Sequence, residues 1–181
     1  MTVNSFFRNE DKTEPVKPDD IGYVLSTPTV PDFLTGREFL KFYIDIHSDR
    51  IQNPKTIDEY MDYVMIPQDA RDRLMKDYSH GTKNKMQMLV NIVATPKLML
   101  LDEPLTSLDV VVAEEMKDIL RGQKDGRILI FSTHLLDIAL DLCDEIVLLN
   151  HGKLELVDKA DLDNENFKTK IIEALKDADN T

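Results

Sequence analysis

The chain of 181 residues (20.8 kDa) has the length of one domain with room for an insertion, and its 42% hydrophobic content excludes wholesale disorder. Its 34 acidic and 22 basic side chains give a formal net charge of -12. This balance argues against nucleic acid as a partner, because phosphate contacts need a basic face. The single cysteine fits a reducing compartment, and no apolar run approaches the ~18 residues of a membrane span. We therefore expect a soluble, cytoplasmic protein.

The amino-terminal residues 1–20 are polar and charged throughout, without the hydrophobic block of a signal peptide. We interpret them as a polar leader that contains one edge strand at most, at Phe6 and Phe7. Residues 21–25 are predicted to form a short strand, which Pro28 ends.

A helical block is predicted over residues 30–93. Thr-x-x-Glu patterns at 35–38 and 56–59 are capping boxes, in which side chains satisfy the first backbone N–H groups of a helix. A third helix is predicted to open at Ser79 and to end before Pro96.

Beyond Pro96 the pattern changes to alternating strands and helices. The continuous apolar run at 98–101 is typical of a strand buried on both faces of a parallel sheet. Further strands are predicted at 127–132, 145–149 and 153–157, and helices at 109–121 and 134–142. This order of strands and helices is typical of βαβ units, so the predicted fold class is α/β. The tail 158–181 is acidic and is predicted to end in an amphipathic helix.

Three short motifs carry candidate chemistry. Asp102 and Glu103 follow a predicted strand, at the edge where parallel sheets bind ligands and where carboxylates can hold Mg²⁺ and orient water. His134 follows the next strand and can donate to a phosphate oxygen. The segment 78–82 (YSHGT) opens a helix, where backbone N–H groups attract anions. Each motif alone also has an ordinary explanation, as solvated strand ends or helix caps.

Taken together, these motifs resemble the ATPase subunit of an ATP-binding cassette (ABC) transporter. Segment 78–82 is similar to the family's signature sequence, 98–104 (LMLLDEP) to its Walker B strand, and 106–109 (TSLD) to its D-loop. His134 matches the switch histidine. The resemblance runs from residue 21 to about 157, and it implies a partial P-loop NTPase-like parallel sheet with a helical insertion subdomain at about 30–93.

The resemblance also implies roles. Asp102 would bind magnesium through water, Glu103 would polarise the attacking water, and His134 would contact the γ-phosphate of ATP. Ser79 and Gly81 would touch a nucleotide that the opposite subunit holds.

Asp109 would couple the two sites of a head-to-tail dimer. The implied cofactors are ATP and Mg²⁺. The implied partners are a second ATPase subunit and a membrane-spanning transporter subunit, on which the helical block would press at the cytoplasmic face of the membrane.

The sequence departs from the family at several places. The 181 residues contain no G-x-x-x-x-G-K-[ST] phosphate loop (Walker A), so weak or absent nucleotide binding is expected of the chain alone. Ser26 stands at the position of the family's Q-loop glutamine, where the resemblance implies a cofactor contact, but a serine is too short to reach a metal in the same way. His80 replaces the first signature glycine, and Val90 and Asn91 replace the usual Arg-Ala.

Two other functions remain open. The chain could be a non-catalytic interaction module that docks on a membrane subunit or completes a partner cassette's site. It could also be an unrelated α/β domain with chance motifs, although the number of matching spacings argues against this. Without a phosphate-loop segment, the predicted strands would leave an apolar face or edge exposed.

Overall fold

The structure, a computed structural model, describes residues 6–9, 12–51, 54–106, 108–150 and 152–157. The chain divides into two compact units, residues 1–132 and residues 133–181. The helix predicted within 158–181 lies outside the described residues.

The first unit begins with a β-hairpin. Strands β1 (Phe6–Asn9) and β2 (Lys12–Pro15) pair antiparallel, with Phe6 opposite Pro15. The sequence suggested one strand here at most. Two strands form because each satisfies the backbone N–H and C=O groups of the other.

The centre of this unit is a parallel sheet in the order β3–β4–β5. The strands are β3 (Ile21–Val24), β4 (Leu98–Asp102) and β5 (Ile128–Ser132). The predicted α/β fold with a parallel sheet is confirmed, and the predicted strand positions hold to within a residue.

Three helices lie between β3 and β4: α1 (Gly36–Ile46), α2 (Ile57–Tyr63) and α3 (His80–Val93). Both predicted capping boxes form, since Thr35 and Thr56 each accept a backbone N–H three residues on. Single 3-10 turns at Pro18–Asp20 and Met75–Asp77 precede β3 and α3. Helix α4 (Val110–Arg121) connects β4 to β5, with Asp109 as its N-cap and Gly122 as its C-cap.

A buried arginine ties the helical block together. Arg71 is almost fully buried, donates to the Ile66 carbonyl, and pairs with both Asp58 and Asp62. Asp58 also pairs with Arg37 at 2.9 Å. Hydrogen bonds from Arg37 and then from Arg71 hold the pKa of the Asp58 carboxyl below its ordinary value, so this network stays charged at neutral pH.

Helix α3 closes the outer edge of the sheet with side-chain amides. Asn91 accepts a hydrogen bond from the Tyr23 N–H (3.0 Å) and donates to the Tyr23 carbonyl (3.2 Å). One turn earlier, Gln87 pairs in the same way with the Leu25 carbonyl and the Thr29 N–H. A Cβ at Gly22 would lie 2.7 Å from Asn91 Oδ1, so glycine is what allows this close approach.

One face of the sheet is open. The sequence predicted strands buried on both faces, and this is wrong for the described structure: along each strand, residues of a more buried face alternate with residues of a less buried one. In a parallel sheet two right-handed crossovers leave α3 and α4 on the same side, so neither of these helices covers the other face. The expectation of an exposed apolar face is confirmed, with side chains between 39% and 55% exposed at Ile21, Tyr23, Ile128 and Ile130.

The second unit contains α5 (Leu136–Leu142) and an antiparallel pair, β6 (Ile146–Asn150) and β7 (Lys153–Val157). Leu136, Leu140, Ile146 and Leu148 pack around Val157 as a small core. The opposite face of the hairpin exposes four apolar side chains: Val147, Leu149, Leu154 and Leu156. The turn uses Gly152 at φ 74°, a conformation that glycine adopts readily.

In the described part of the chain, each helix is too short or too polar to cross a membrane.

Replacing Asn91 with alanine is expected to destabilise the first unit by about 2 kcal/mol, because the partly buried Tyr23 N–H and C=O would lose their hydrogen-bond partner. Asn84→Ala is a matched control, since Asn84 is equally buried on the same helix but makes no side-chain hydrogen bond to another described residue. Urea unfolding of both variants measures the difference. Equal losses of stability in the two variants would contradict the role of Asn91.

Candidate functional site

The carboxyl ends of β4 and β5 carry a hydrogen-bonded carboxylate. Asp102 is the last residue of β4 and pairs in register with Ser132, the last residue of β5. The Ser132 hydroxyl donates to Asp102 Oδ1 at 2.9 Å, and Ser26 Oγ, beyond the end of β3, lies 3.5 Å from Oδ2. The three strand ends of the sheet therefore meet at Asp102, at the edge where parallel sheets bind ligands.

Glu103 is held in a fixed position next to Asp102. Its backbone N–H donates to Ser132 Oγ (3.1 Å), and Thr106 Oγ1 donates to its carboxylate at 2.6 Å. Its φ of 47° lies in the left-handed region, which costs a residue with a side chain of the order of 1 kcal/mol. Residues with strained backbone angles are concentrated at functional sites, and here the strained residue is the second of two adjacent carboxylates.

The side chains at this edge fit a magnesium ion. Mg²⁺ prefers oxygen ligands and keeps several waters, commonly using one or two carboxylates together with substrate phosphates. Asp102 supplies a carboxylate, while Ser26 and Ser132 supply hydroxyl oxygens beside it. This oxygen set leaves the remaining ligand positions to water and phosphate.

The segment predicted to be a signature motif caps α3. Ser79 is exposed, and its Oγ accepts the Thr82 N–H at 3.1 Å. Gly81 lies against α4, because a Cβ there would sit 3.1 Å from Val112 Cγ1. The amino-terminal turns of α3 and α4 are therefore neighbours, and both present the positive ends of their dipoles.

The amino terminus of α4 is an exposed, partly apolar surface. Asp109 Oδ1 accepts the Val112 N–H at 3.0 Å, while Val110 next to it is 80% exposed. Asp109 thus has a local structural role as an N-cap. The residue that Asp109 caps, Val112, is the one that packs against Gly81.

His134 lies in the second unit, two residues beyond the end of β5 along the chain. The sequence predicted a helix from His134, but α5 begins at Leu136. The Leu135 N–H instead donates to Thr133 Oγ1 (3.1 Å), a local bond that competes with the first turn of a helix. His134 therefore precedes the helix.

Thr106 was placed only in the D-loop resemblance and Ser132 was considered only as a helix cap, yet the hydroxyls of both hold the two carboxylates. The sequence could have indicated both residues, since Ser132 ends the predicted strand that follows the Asp102 strand and Thr106 follows Glu103 by three residues. The register that joins Ser132 to Asp102 is a property of the folded sheet.

The chain belongs to the ABC transporter family, whose profile matches residues 4–106. Among curated relatives, it is 29% identical over 137 residues to the uncharacterised ABC transporter ATP-binding protein YdbJ of Bacillus subtilis. That match takes in 75% of this chain and 44% of YdbJ. The chain therefore spans less than half the length of this relative.

Two further comparisons agree. The daunorubicin/doxorubicin resistance ATP-binding protein DrrA of Streptomyces peucetius is 41% identical over 87 residues, which cover 48% of this chain and 26% of DrrA. The dimeric ATP-binding cassette MJ0796, described in a post-hydrolysis state with ADP and phosphate, superposes with a TM-score of 0.61 at 18% identity. This likeness covers 75% of this chain and 60% of that one, and it shows the fold.

The contact between Gly81 and Val112 predicts a measurable coupling. The effect of Gly81→Ala on the free energy of unfolding is expected to be more favourable by about 1 kcal/mol in a Val112→Ala background than in the natural chain. With alanine at position 112, the added methyl group no longer crowds the valine side chain. A double-mutant cycle by thermal or urea unfolding gives this value. Additive effects would show that α3 and α4 do not touch here.

Proposed function

We propose that this chain is the ATP-binding part of an ABC transporter in which ATP hydrolysis drives transport. We further propose that its phosphate-binding loop comes from polypeptide outside these 181 residues. The observation that carries the proposal is the pair of adjacent carboxylates, Asp102 and Glu103, which Ser132 and Thr106 hold at the carboxyl edge of the sheet. Family membership supports ATP as the ligand.

Within this proposal the carboxylates divide the work. Asp102, with Ser26 beside it, would hold Mg²⁺, which offsets charge on the phosphates when bound. Glu103 accepts a proton from water, and the bond from Thr106 orients its carboxylate for that task. His134 would donate to the γ-phosphate, as the resemblance implies.

Ser79, Gly81 and Asp109 would serve the nucleotide of a second subunit. In support, their segments form one exposed surface at the amino ends of α3 and α4, where backbone N–H groups favour an anion. The same surface suits the alternative function, in which a non-catalytic module completes a partner cassette's site.

The helical block would dock on a membrane-spanning subunit at the cytoplasmic face. In support, α1 exposes Phe42 and Ile46 one turn apart, and Phe33 just before the helix is also exposed. Exposed aromatic side chains of this kind are frequent anchors of protein interfaces.

The purified 181-residue chain is expected to release no phosphate from ATP above the background of its Glu103→Gln variant. A base acts only on a water in line with a positioned phosphate, and a displacement of about 1 Å can cost ~100-fold. The residues present include no loop of backbone amides and lysine to position that phosphate. Turnover that Glu103→Gln abolishes would show that the loop is dispensable.

A chimera separates the two functions. The chain would be preceded by a strand, phosphate loop and helix taken from a curated relative, and its ATP binding and turnover measured together. Turnover that requires Glu103 supports the ATPase. A folded chimera that binds ATP without turnover would favour the non-catalytic module instead.

Phe42→Asp is expected to reduce recovery of a co-expressed membrane subunit at least tenfold, roughly the effect of losing one interface anchor. Lys41→Gln is the matched control, because it changes the charge by the same amount at the adjacent exposed position. Equal recovery with both variants, at unchanged thermal stability, would place the docking surface elsewhere.

A further inference from the structure

A second candidate binding site lies at the opposite edge of the sheet. A cleft of about 290 Å³ opens beside Thr95, which precedes β4, and Arg127, which precedes β5. Lys55 and Tyr63 of the helical block form its other side. Because a five-residue strand spans roughly 16 Å, this cleft is separate from the Asp102 and Glu103 edge.

The cleft carries more positive than negative charge in a strongly acidic protein. Lys55 and Arg127 line it together with one carboxylate, Asp125. Within the described residues, neither cation lies in ion-pair distance of a carboxylate. Burial lowers the pKa of the Arg127 guanidinium, which indicates that its charge is poorly solvated. An anion in the cleft would supply the missing countercharge.

One buried side chain, Gln123, holds two polar groups of the cleft in place through hydrogen bonds. Gln123, 6% exposed, accepts from Arg127 Nη1 and donates to Tyr63 Oη, both at 2.8 Å. Lys55 Nζ lies 5.4 Å from the centroid of the Tyr63 ring. A Cβ at Gly122 would come within 2.8 Å of Tyr63 Oη, so the glycine leaves room for the hydroxyl to reach Gln123.

Donors remain for a ligand after these contacts. Arginine has five N–H donors, and the bond to Gln123 occupies one of them. The Tyr63 hydroxyl accepts from Gln123 and keeps its own hydrogen to donate. Ile92 and Val93 add an apolar wall. The volume is at the lower end of the range for ligand sites, about 300–1,000 Å³, which limits the ligand to a small molecule.

We propose that this cleft binds a small phosphomonoester, with its phosphate on Arg127, Lys55 and the Tyr63 hydroxyl and its organic part against Ile92 and Val93. A phosphate matches this set because it offers several oxygens to donors that approach from different elements, and because arginine binds it through two parallel bonds. This site goes beyond the proposed ATPase function, and it requires neither Asp102 nor Glu103.

The test is a calorimetric titration of the full 181-residue chain with glycerol 3-phosphate, with glycerol as the uncharged comparison. Saturable binding of the phosphate ester alone is expected. Arg127→Gln and Lys55→Gln should each weaken it at least tenfold, while Lys41→Gln, an exposed lysine on α1, and Asp102→Asn should leave it unchanged. Circular dichroism confirms that each variant is folded. If Arg127→Gln does not fold, Lys55→Gln alone tests the cleft, because it removes no hydrogen bond between described residues.

Three results would overturn the proposal. One is the absence of saturable binding of glycerol 3-phosphate by the folded natural chain up to about 10 mM, which corresponds to less than about 3 kcal/mol of affinity. Another is binding that both cleft variants retain in full. Binding that Asp102→Asn removes would place the ligand at the opposite edge and would also overturn it.

Discussion

The pairing of α3 with the outer edge of β3 is the contact on which the first unit depends. An edge strand presents backbone N–H and C=O groups that must find partners once they are buried. The Asn91 side-chain amide provides them at Tyr23, Gln87 does the same for Leu25 and Thr29 beyond the end of β3, and Gly22 allows the helix to come close enough. This arrangement replaces a further strand with a helix. It also fixes the axis of α3, and hence where its amino terminus lies.

The position of the α3 amino terminus determines where the signature-like segment 78–82 lies. Since Gly81 packs on Val112, the beginnings of α3 and α4 lie side by side, with Ser79 and Asp109 as their caps. The carboxylate edge depends on the sheet instead, through the register that joins Asp102 to Ser132. Two parts of the fold therefore position two groups of residues, which the resemblance assigns to different nucleotides of a dimer.

The uncovered apolar surfaces fit a chain that works within a larger assembly. One face of the parallel sheet and one face of the β6–β7 hairpin expose rows of aliphatic and aromatic side chains. Such patches are typical of interaction surfaces. They agree with a chain that spans less than half the length of the curated relative YdbJ, and with the proposal that further polypeptide supplies the phosphate loop.

Local physics made much of the fold predictable. The capping boxes at Thr35 and Thr56, the N-cap at Ser79 and the apolar run of β4 depend on neighbouring residues, and each of these four features is present. The sequence also placed Asp102 and Glu103 at the carboxyl end of a predicted strand and showed that the motifs resemble those of ABC ATPases. Family membership could therefore be inferred from the order and spacing of residues alone.

The tertiary structure decided what distant residues do to one another. Burial of one sheet face rather than two depends on which side the crossovers place the helices, and no residue of β4 or β5 encodes this. The bond from Ser132 to Asp102 joins residues 30 positions apart and that from Asn91 to Tyr23 residues 68 apart, so strand register and helix packing had to form first. The β1–β2 hairpin shows the same limit, because each strand supplies backbone hydrogen-bond partners to the other that composition did not indicate.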